Sequence, residues 1–557
     1  MRATTPTSIV SLLTKRFVDS ADEVALWTKS NGWQSQTWAD VGRNVMRMAS
    51  WLVGQGIKPG HRVAQFSENR SEWLVSDLAM HVAGAVHVPI HAPLTGEQAA
   101  FQIADSGADL VLLSTTEQVD KIAAREHELP PDLKCYVYDE CDRSIGRRRC
   151  HVLSDELPEY DEVMSASLID AAVTRATGEM LATILYTSGT TGEPKGVMLS
   201  NQNLVSNTLA AIEPFAQDSN DLRLSFLPLS HIFARTCDLY TWVASGSQLA
   251  LAESRDTAIA DCGAVRPTLL NGVPYFFEKL ASALADVDPT TAPDALRDVF
   301  GGRIRLCCSG GAALPDHVFD FFMQRNVPLL QGYGLTETSP IITLSSEERF
   351  KRGSVGRAIP DVEVRIADDG EILTRGPHVM LGYFKNPAAT DEVIRDNWFH
   401  TGDIGHLDDE GYLFITGRKK ELIVTSGGKN IAPVYLESLL TQDPLIAQAV
   451  VIGDDRKYLT ALIVPEYSVL DAEILSAGLV IADSRDVLTD SIVLKLIEEH
   501  IASRLSGVSH YEQVRKFVLL KQGFSVESGE MTPKLSLRRE VIQSNYCDSI
   551  EAMYTGE

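Results

Sequence analysis

The chain has 557 residues, more than one hydrophobic core can serve, so at least two domains are expected. With 44% apolar and 22% charged residues it has neither a disordered nor a membrane-embedded composition, and a net charge of −25 argues against a nucleic-acid partner. The longest nearly uncharged run, LAMHVAGAVHVPI at 78–90, is too short to cross a bilayer and carries two histidines. The first residues, MRATTPTSIVSLLTKRF, lack the pattern of a secretory signal. The eight cysteines follow no metal-binding spacing and are expected as reduced thiols in a cytoplasmic protein. A basic cluster at 147–149 is expected to be solvated.

From residue 62 the pattern alternates. RVAQFS (62–67) predicts a strand, SEWLVSDLAMHVAG (71–84) a helix, and AVHVPI (85–90) a second strand. Thr95 and Gln98 form a capping box ahead of a helix that Gly107 ends, and ADLVLLS (108–114) returns to strand. Such alternation implies parallel sheet covered by helices. Residues 130–178 have weak periodicity and many acidic residues, and read as an irregular connection. A second α/β run occupies 222–345, and a β-rich stretch follows at 354–416 with a hairpin around Asp369-Gly370. Past Gly417 the pattern predicts a hairpin (ELIVTSGGKNIAP), a helix opened by Pro433, and the strands QAVVIGD and YLTALIVPE. The expected fold class is therefore a large α/β N-terminal domain with parallel-rich sheets, helical layers and a small β-rich subdomain, followed by a small, mobile α+β C-terminal domain. The boundaries are 1–417 and 418–557.

The segment carrying most chemistry is YTSGTTGEPKGVMLS (186–200), which follows the apolar run LATIL. Gly189, Gly192 and Gly196 remove Cβ atoms that would keep a phosphate from the backbone. Ser188, Thr190 and Thr191 add hydroxyl donors, and Lys195 adds a positive charge. It is not a Walker loop, because Lys195 stands between Pro194 and Gly196 with no Ser or Thr after it to hold Mg²⁺. A flexible glycine-rich surface loop is the alternative.

This segment resembles the signature loop of the adenylate-forming enzymes, which include acyl-CoA synthetases, luciferases and peptide-synthetase adenylation domains. The resemblance runs from about residue 35 to 540, with the motifs in the family's order. It implies that Thr187, Ser188, Gly189, Thr190, Thr191, Gly192 and Lys195 hold the phosphates of ATP. In QGYGLTET (331–338) the residues alone read equally as a tight turn with a capping Thr-Glu pair. By resemblance Gln331, Gly332, Tyr333, Gly334 and Thr336 bind nucleotide, with Tyr333 stacked on adenine. The resemblance also implies that Glu337, with Thr187, would contact Mg²⁺. SGGAALP resembles the opposite adenine wall through Gly310, Gly311 and Ala312. Asp403 in TGD, by itself a turn former, and Arg418 would meet the ribose. His231 in LPLSHIFAR, by itself a structural histidine, would border the acyl carboxylate. The aromatics of GVPYFFEKL (272–280) are open between core and tunnel wall.

The resemblance makes Lys420 the hinge position and places Gly427 on the loop lining a coenzyme A thiol tunnel. The family's mobile catalytic lysine falls on Lys534 in GEMTPKLSLRRE; an alignment on the following Leu-Arg-Arg puts Ser536 there instead. The expected activity is ATP-dependent conversion of a long-chain fatty acid to acyl adenylate and then acyl-CoA. The alternatives are adenylation of an acyl or aryl acid for a carrier protein, and a non-catalytic relative that binds acyl groups or adenylates. Peripheral membrane contact is compatible with a lipid substrate.

Overall fold

The computed structural model describes residues 6–187, 194–427, 429–476, 487–525, 527–531 and 537–555. Two large sheets form the first part. In one, Leu222–Ser225 lies at the centre, flanked by parallel Leu269–Gly272, Leu306–Ser309 and Leu329–Gly334 on one side and Gln248–Leu251 on the other. In the second, Leu181–Thr187, Val86–His91, Arg62–Ser67, Leu110–Leu113 and Lys134–Val137 run parallel in that spatial order. Helices cover both faces of these sheets, which explains why Ala182, Thr183, Ile184 and Leu185 are consecutively buried rather than alternating. Trp38, on the helix Trp38–Gly54, stacks on Trp242, on the helix Thr241–Ser245, at 4.4 Å, both fully buried.

Several local expectations hold. The Thr95 hydroxyl accepts from the Gln98 N–H at 3.3 Å, the Gln98 side chain reaches back to the Thr95 N–H at 3.1 Å, and Gly107 ends the helix Gly96–Ser106 at φ 63. The Asp369-Gly370 turn joins antiparallel Glu363–Ile366 and Glu371–Arg375, and Pro433 opens the helix Pro433–Leu440. One expectation fails. Residues 130–178 are not an irregular link: they contain the strand Lys134–Val137 and the helix Glu162–Arg175, capped by Asp161 on the Met164 N–H. That helix faces the core through Ser165, Leu168, Ile169 and Ala172, a short stripe that the exposed Val163, Met164 and Val173 obscure in the sequence.

The hydrophobic clusters divide by position. Those around the large sheets end at Phe399, whereas Ile423 to Leu519 and Val450 to Met553 form clusters of their own. The latter pack on a three-stranded sheet of Ile446–Ile452, Leu459–Pro465 and Val514–Leu519, which gives an α+β unit. Among the described residues no helix is long and apolar enough to cross a membrane. All eight cysteines are unpaired, six of them buried.

A buried polar network ties two strands of the second sheet, Val86–His91 and Leu181–Thr187, to the helix Ser71–Ala83 and to residues 235–240. Asp77 Oδ1, from the helix Ser71–Ala83, accepts from Arg235 Nη2 at 2.5 Å and His87 Nδ1 at 2.7 Å. Arg235 Nη1 donates to Thr183 Oγ1 at 2.7 Å, and His81 Nε2 lies 3.0 Å from the Tyr240 hydroxyl. Burial pushes the His81 and His87 imidazoles down to about 4, with Arg235 adding to the effect and Asp77 opposing it. Their pKa values are depressed in the fold, so both stay neutral there while an unfolded chain protonates at about 6.5. Stability is then fully present above about pH 6.5 and is lost as pH falls towards about 4. The urea midpoint should fall between pH 7 and 5, and His87→Gln should flatten that slope; an unchanged slope would remove His87 as a cause.

Candidate active site

The parallel strands Leu269–Gly272, Leu306–Ser309 and Leu329–Gly334 all end at the same edge, where open α/β sheets bind ligands. Gly310 and Gly311 follow the second, and Tyr333 lies at the end of the third. Gly310 has a packing role: a Cβ there would lie 3.0 Å from the Phe233 ring, so its missing side chain admits the HIFAR segment. Gly311 is exposed at φ +85, where a Cβ would meet only Val273 Cγ1 at 4.0 Å, and Ala312 is exposed beside it. Gly332 is filled in the same manner as Gly310, by Leu344 at 2.9 Å. At Gly334 a Cβ would meet the Pro340 carbonyl oxygen at 1.7 Å, so no larger residue fits without moving the chain between Tyr333 and Glu337.

Tyr333, Asp403 and Arg418 come together. The Tyr333 hydroxyl donates to Asp403 Oδ2 at 2.6 Å, and Arg418 Nε lies 3.3 Å from Asp403 Oδ1. Antiparallel register explains the second contact, because Asp403 and Arg418 are direct cross-strand partners in Trp398–Leu407 and Leu413–Arg418. Burial raises the Asp403 carboxyl above its ordinary value, with Arg418 and Tyr333 partly offsetting it. Gln331 is buried just before this group.

The turn Thr336–Thr338 is capped by Thr338, whose hydroxyl accepts from the Leu335 N–H at 2.9 Å. The Thr-Glu pair is therefore not the cap. Glu337 instead accepts from the Tyr383 hydroxyl at 2.8 Å, and Lys195 Nζ lies 5.1 Å from the centre of the same ring. Thr187 and Lys195 are opposite each other across the antiparallel pair Leu181–Thr187 and Lys195–Ser200. Ser188, Gly189, Thr190, Thr191 and Gly192 lie outside the described residues. Gly196 departs from its expected role. Its Cβ position points at Ile184 Cγ2 (2.8 Å), Phe384 Cβ and the Tyr186 ring, so packing requires the glycine there.

His231 precedes the short helix Ile232–Ala234 without capping it through its side chain, and its ring lies 4.6 Å from that of His91, whose Nδ1 is 3.1 Å from Ser230 Oγ. In the VPYFFEKL segment Phe277 is core, fully buried against Phe322 and Gly272. Phe276 is only partly buried and meets Phe226 at 4.7 Å. Just after the strand Leu413–Arg418, Lys419 bonds Asp369 at 2.6 Å and Glu371 at 2.8 Å, next to Lys420, and Gly427 is exposed in the following turn. Lys534 and Ser536 lie outside the described residues.

Sequence reasoning missed Tyr383, Lys419, Glu371 and the Asp77–Arg235 pair. An arginine closing the apolar segment HIFAR was a usable signal for the last, since an unpaired charge is rarely buried. Nothing local marks the others, because the partners that give them a role lie 46 (Tyr383–Glu337) to 188 (Lys195–Tyr383) residues away.

An α/β domain with nucleotide-type groups at its strand ends, joined to a smaller α+β unit, is the architecture of adenylate-forming enzymes. The family model described as "AMP-binding enzyme" matches residues 14–384, and "AMP-binding enzyme C-terminal domain" matches 420–557; the chain belongs to this family. It is 32% identical to the long-chain-fatty-acid--CoA ligase FadD15 of Mycobacterium tuberculosis, over 94% of this chain and 93% of that one. It is 27% identical to the long-chain-fatty-acid--CoA ligase ACSBG2 of Xenopus laevis, over 99% and 84%. Among solved structures, ATP-bound MatB from Rhodopseudomonas palustris superposes with a TM-score of 0.72 at 25% identity, covering 97% of this chain and 99% of that one. The anthranilate CoA ligase AuaEII shares the fold at a TM-score of 0.75 and 19% identity, with 98% of each chain covered.

Proposed function

We propose that this protein activates a long-chain fatty acid with ATP and transfers it to coenzyme A. The observation that carries this reading is the pair of adjoining groups, Tyr333–Asp403–Arg418 and Lys195–Tyr383–Glu337, on a chain similar throughout its length to long-chain ligases. The fatty carboxylate oxygen attacks the α-phosphorus of ATP, forming an acyl–phosphate bond as pyrophosphate leaves. Negative charge grows on the phosphate oxygens, so Lys195 and Lys534 act by electrostatic stabilisation. Tyr333 offers its ring to adenine, Asp403 and Arg418 meet the ribose, and His231 borders the carboxylate. Mg²⁺, when bound, neutralises phosphate charge. Thr187 and Glu337 would hold it, and a single carboxylate with a hydroxyl suits an ion that keeps several waters and phosphate oxygens. Among the described residues no cluster of three or more His, Cys, Asp or Glu suggests a different metal.

In the second step the coenzyme A thiol attacks the acyl carbon, losing its proton, and AMP leaves. Rotation of residues 418–557 about Lys420 would withdraw Lys534 and present the loop of Gly427. Peripheral contact with a lipid surface follows from a substrate that partitions into membranes, and a carrier protein is the second acceptor to test.

The test is ATP–pyrophosphate exchange and thioester formation with acids of different length, with coenzyme A or carrier protein as acceptor. Exchange with palmitate and transfer to coenzyme A are expected; exchange with aryl acids alone would overturn the substrate. Asp403→Ala should raise the KM for ATP about 10- to 100-fold, the effect of losing one or two hydrogen bonds to a charged group. An ATP dependence within threefold of wild type would remove Asp403 from the ribose.

A further inference from the structure

Three segments converge on a side chain outside the motifs considered above. Tyr383 places its hydroxyl 2.8 Å from Glu337 Oε1 and its ring face 5.1 Å from Lys195 Nζ. The backbone holds it from both sides. Tyr383 pairs with Val197, and the Phe384 N–H donates to the Gly196 carbonyl at 2.7 Å. The Met380 N–H donates to the Glu337 carbonyl at 2.8 Å. Tyr383 is 8% exposed, and its own N–H donates to Thr390 Oγ1 at 2.9 Å.

An ammonium and a carboxylate serving one phosphate site attract each other. At contact distance near a protein surface that attraction is substantial. A direct ion pair would cover the donor and acceptor atoms that phosphate and metal need. Among the described residues Lys195 and Glu337 form no ion pair with each other. Tyr383 engages both instead, giving the cation a ring face and the carboxylate a hydroxyl. Both interactions leave the outer atoms of the charged groups available.

We infer that Tyr383 is a positioning residue that holds Glu337 for the metal and Lys195 for the phosphates while keeping the two charges from closing on each other. This rests on the reading of the site as one for a metal–ATP complex. A tyrosine that merely fills space would be replaced without loss by phenylalanine. One that positions Glu337 would not.

The test uses the full-length protein, Mn²⁺ as a paramagnetic probe and a non-hydrolysable α,β-methylene ATP. In Tyr383→Phe, Mn²⁺ bound with the analogue should be released about tenfold more readily, the loss of one hydrogen bond to a carboxylate. Analogue binding in the presence of EDTA should stay within twofold, since the ring facing Lys195 remains. Tyr383→Leu should weaken both. In a Glu337→Gln background, Tyr383→Phe should add no further loss of Mn²⁺. Wild-type Mn²⁺ affinity in Tyr383→Phe, or additive losses in the double variant, would overturn the inference. A wild-type protein that binds the analogue neither with nor without metal would overturn the nucleotide reading itself, and with it this inference.

Discussion

Lys534→Ala is expected to slow adenylate formation by about 10²- to 10³-fold, the loss found when one preorganised charge-stabilising donor is removed. Thioester formation from supplied acyl adenylate should stay within a few-fold of wild type. The asymmetry follows from the chemistry: only the first step builds charge on the α-phosphate. Residues 532–536 join two anchored points. Met531 and Leu537 form an antiparallel bridge, the Arg538 N–H donates to the Glu530 carbonyl at 2.7 Å, and Glu530 is 4% exposed. Met531 and Leu537 also pack against a cluster holding Ile452 and Phe524. A substitution at 534 should therefore leave the base of the segment in place. Separate measurement of pyrophosphate exchange and of acyl transfer decides the matter. Equal loss in both would count against the assignment. Unchanged exchange in Lys534→Ala, with Ser536→Ala impaired, would move the role to Ser536.

Asp77→Ala should destabilise the first part of the chain by about 3–5 kcal/mol, the effect of removing one partner from a buried ion pair. Arg235 is fully buried, and among the described residues it pairs with no other carboxylate. Burial by itself would raise the Asp77 carboxyl, but Arg235 and His87 more than offset this and hold it well below the usual range. The same partners should make Asp77→Asn milder, since an amide oxygen can still accept from Arg235. Urea titration near pH 7 checks both variants. A midpoint for Asp77→Ala equal to wild type would show the pair to be energetically idle. Arg235 also begins a π-helical turn, Arg235–Tyr240, four residues after His231, and its N–H donates to the His231 carbonyl at 3.1 Å. Loss of the pair should therefore be felt at the HIFAR segment as well.

Local signals were legible wherever a residue's role depends on near neighbours. The capping box at Thr95 and Gln98, the turn at Asp369-Gly370 and the helix opened by Pro433 all depend on backbone geometry within a few residues. The helix Glu162–Arg175 escaped because the exposed Val163, Met164 and Val173 blur the short stripe of Ser165, Leu168, Ile169 and Ala172 that faces the core. The glycines divide along the same line. Their need for a bare backbone is visible in the sequence, but its cause is not. Gly196 and Gly310 accommodate Ile184 and Phe233, side chains distant in or absent from their own motifs.

The chain's order of motifs determined its family and the residue types available for phosphate, ribose and acyl chemistry, because those choices are written in short contiguous segments. Only the tertiary structure decided how they pair. Asp403 meets Tyr333, Lys195 and Glu337 share Tyr383, and Arg235 finds Asp77 across 158 positions. Charge and hydrogen bonding act over a few ångströms of space, and chain separation carries no trace of such distances until the sheets bring their ends together.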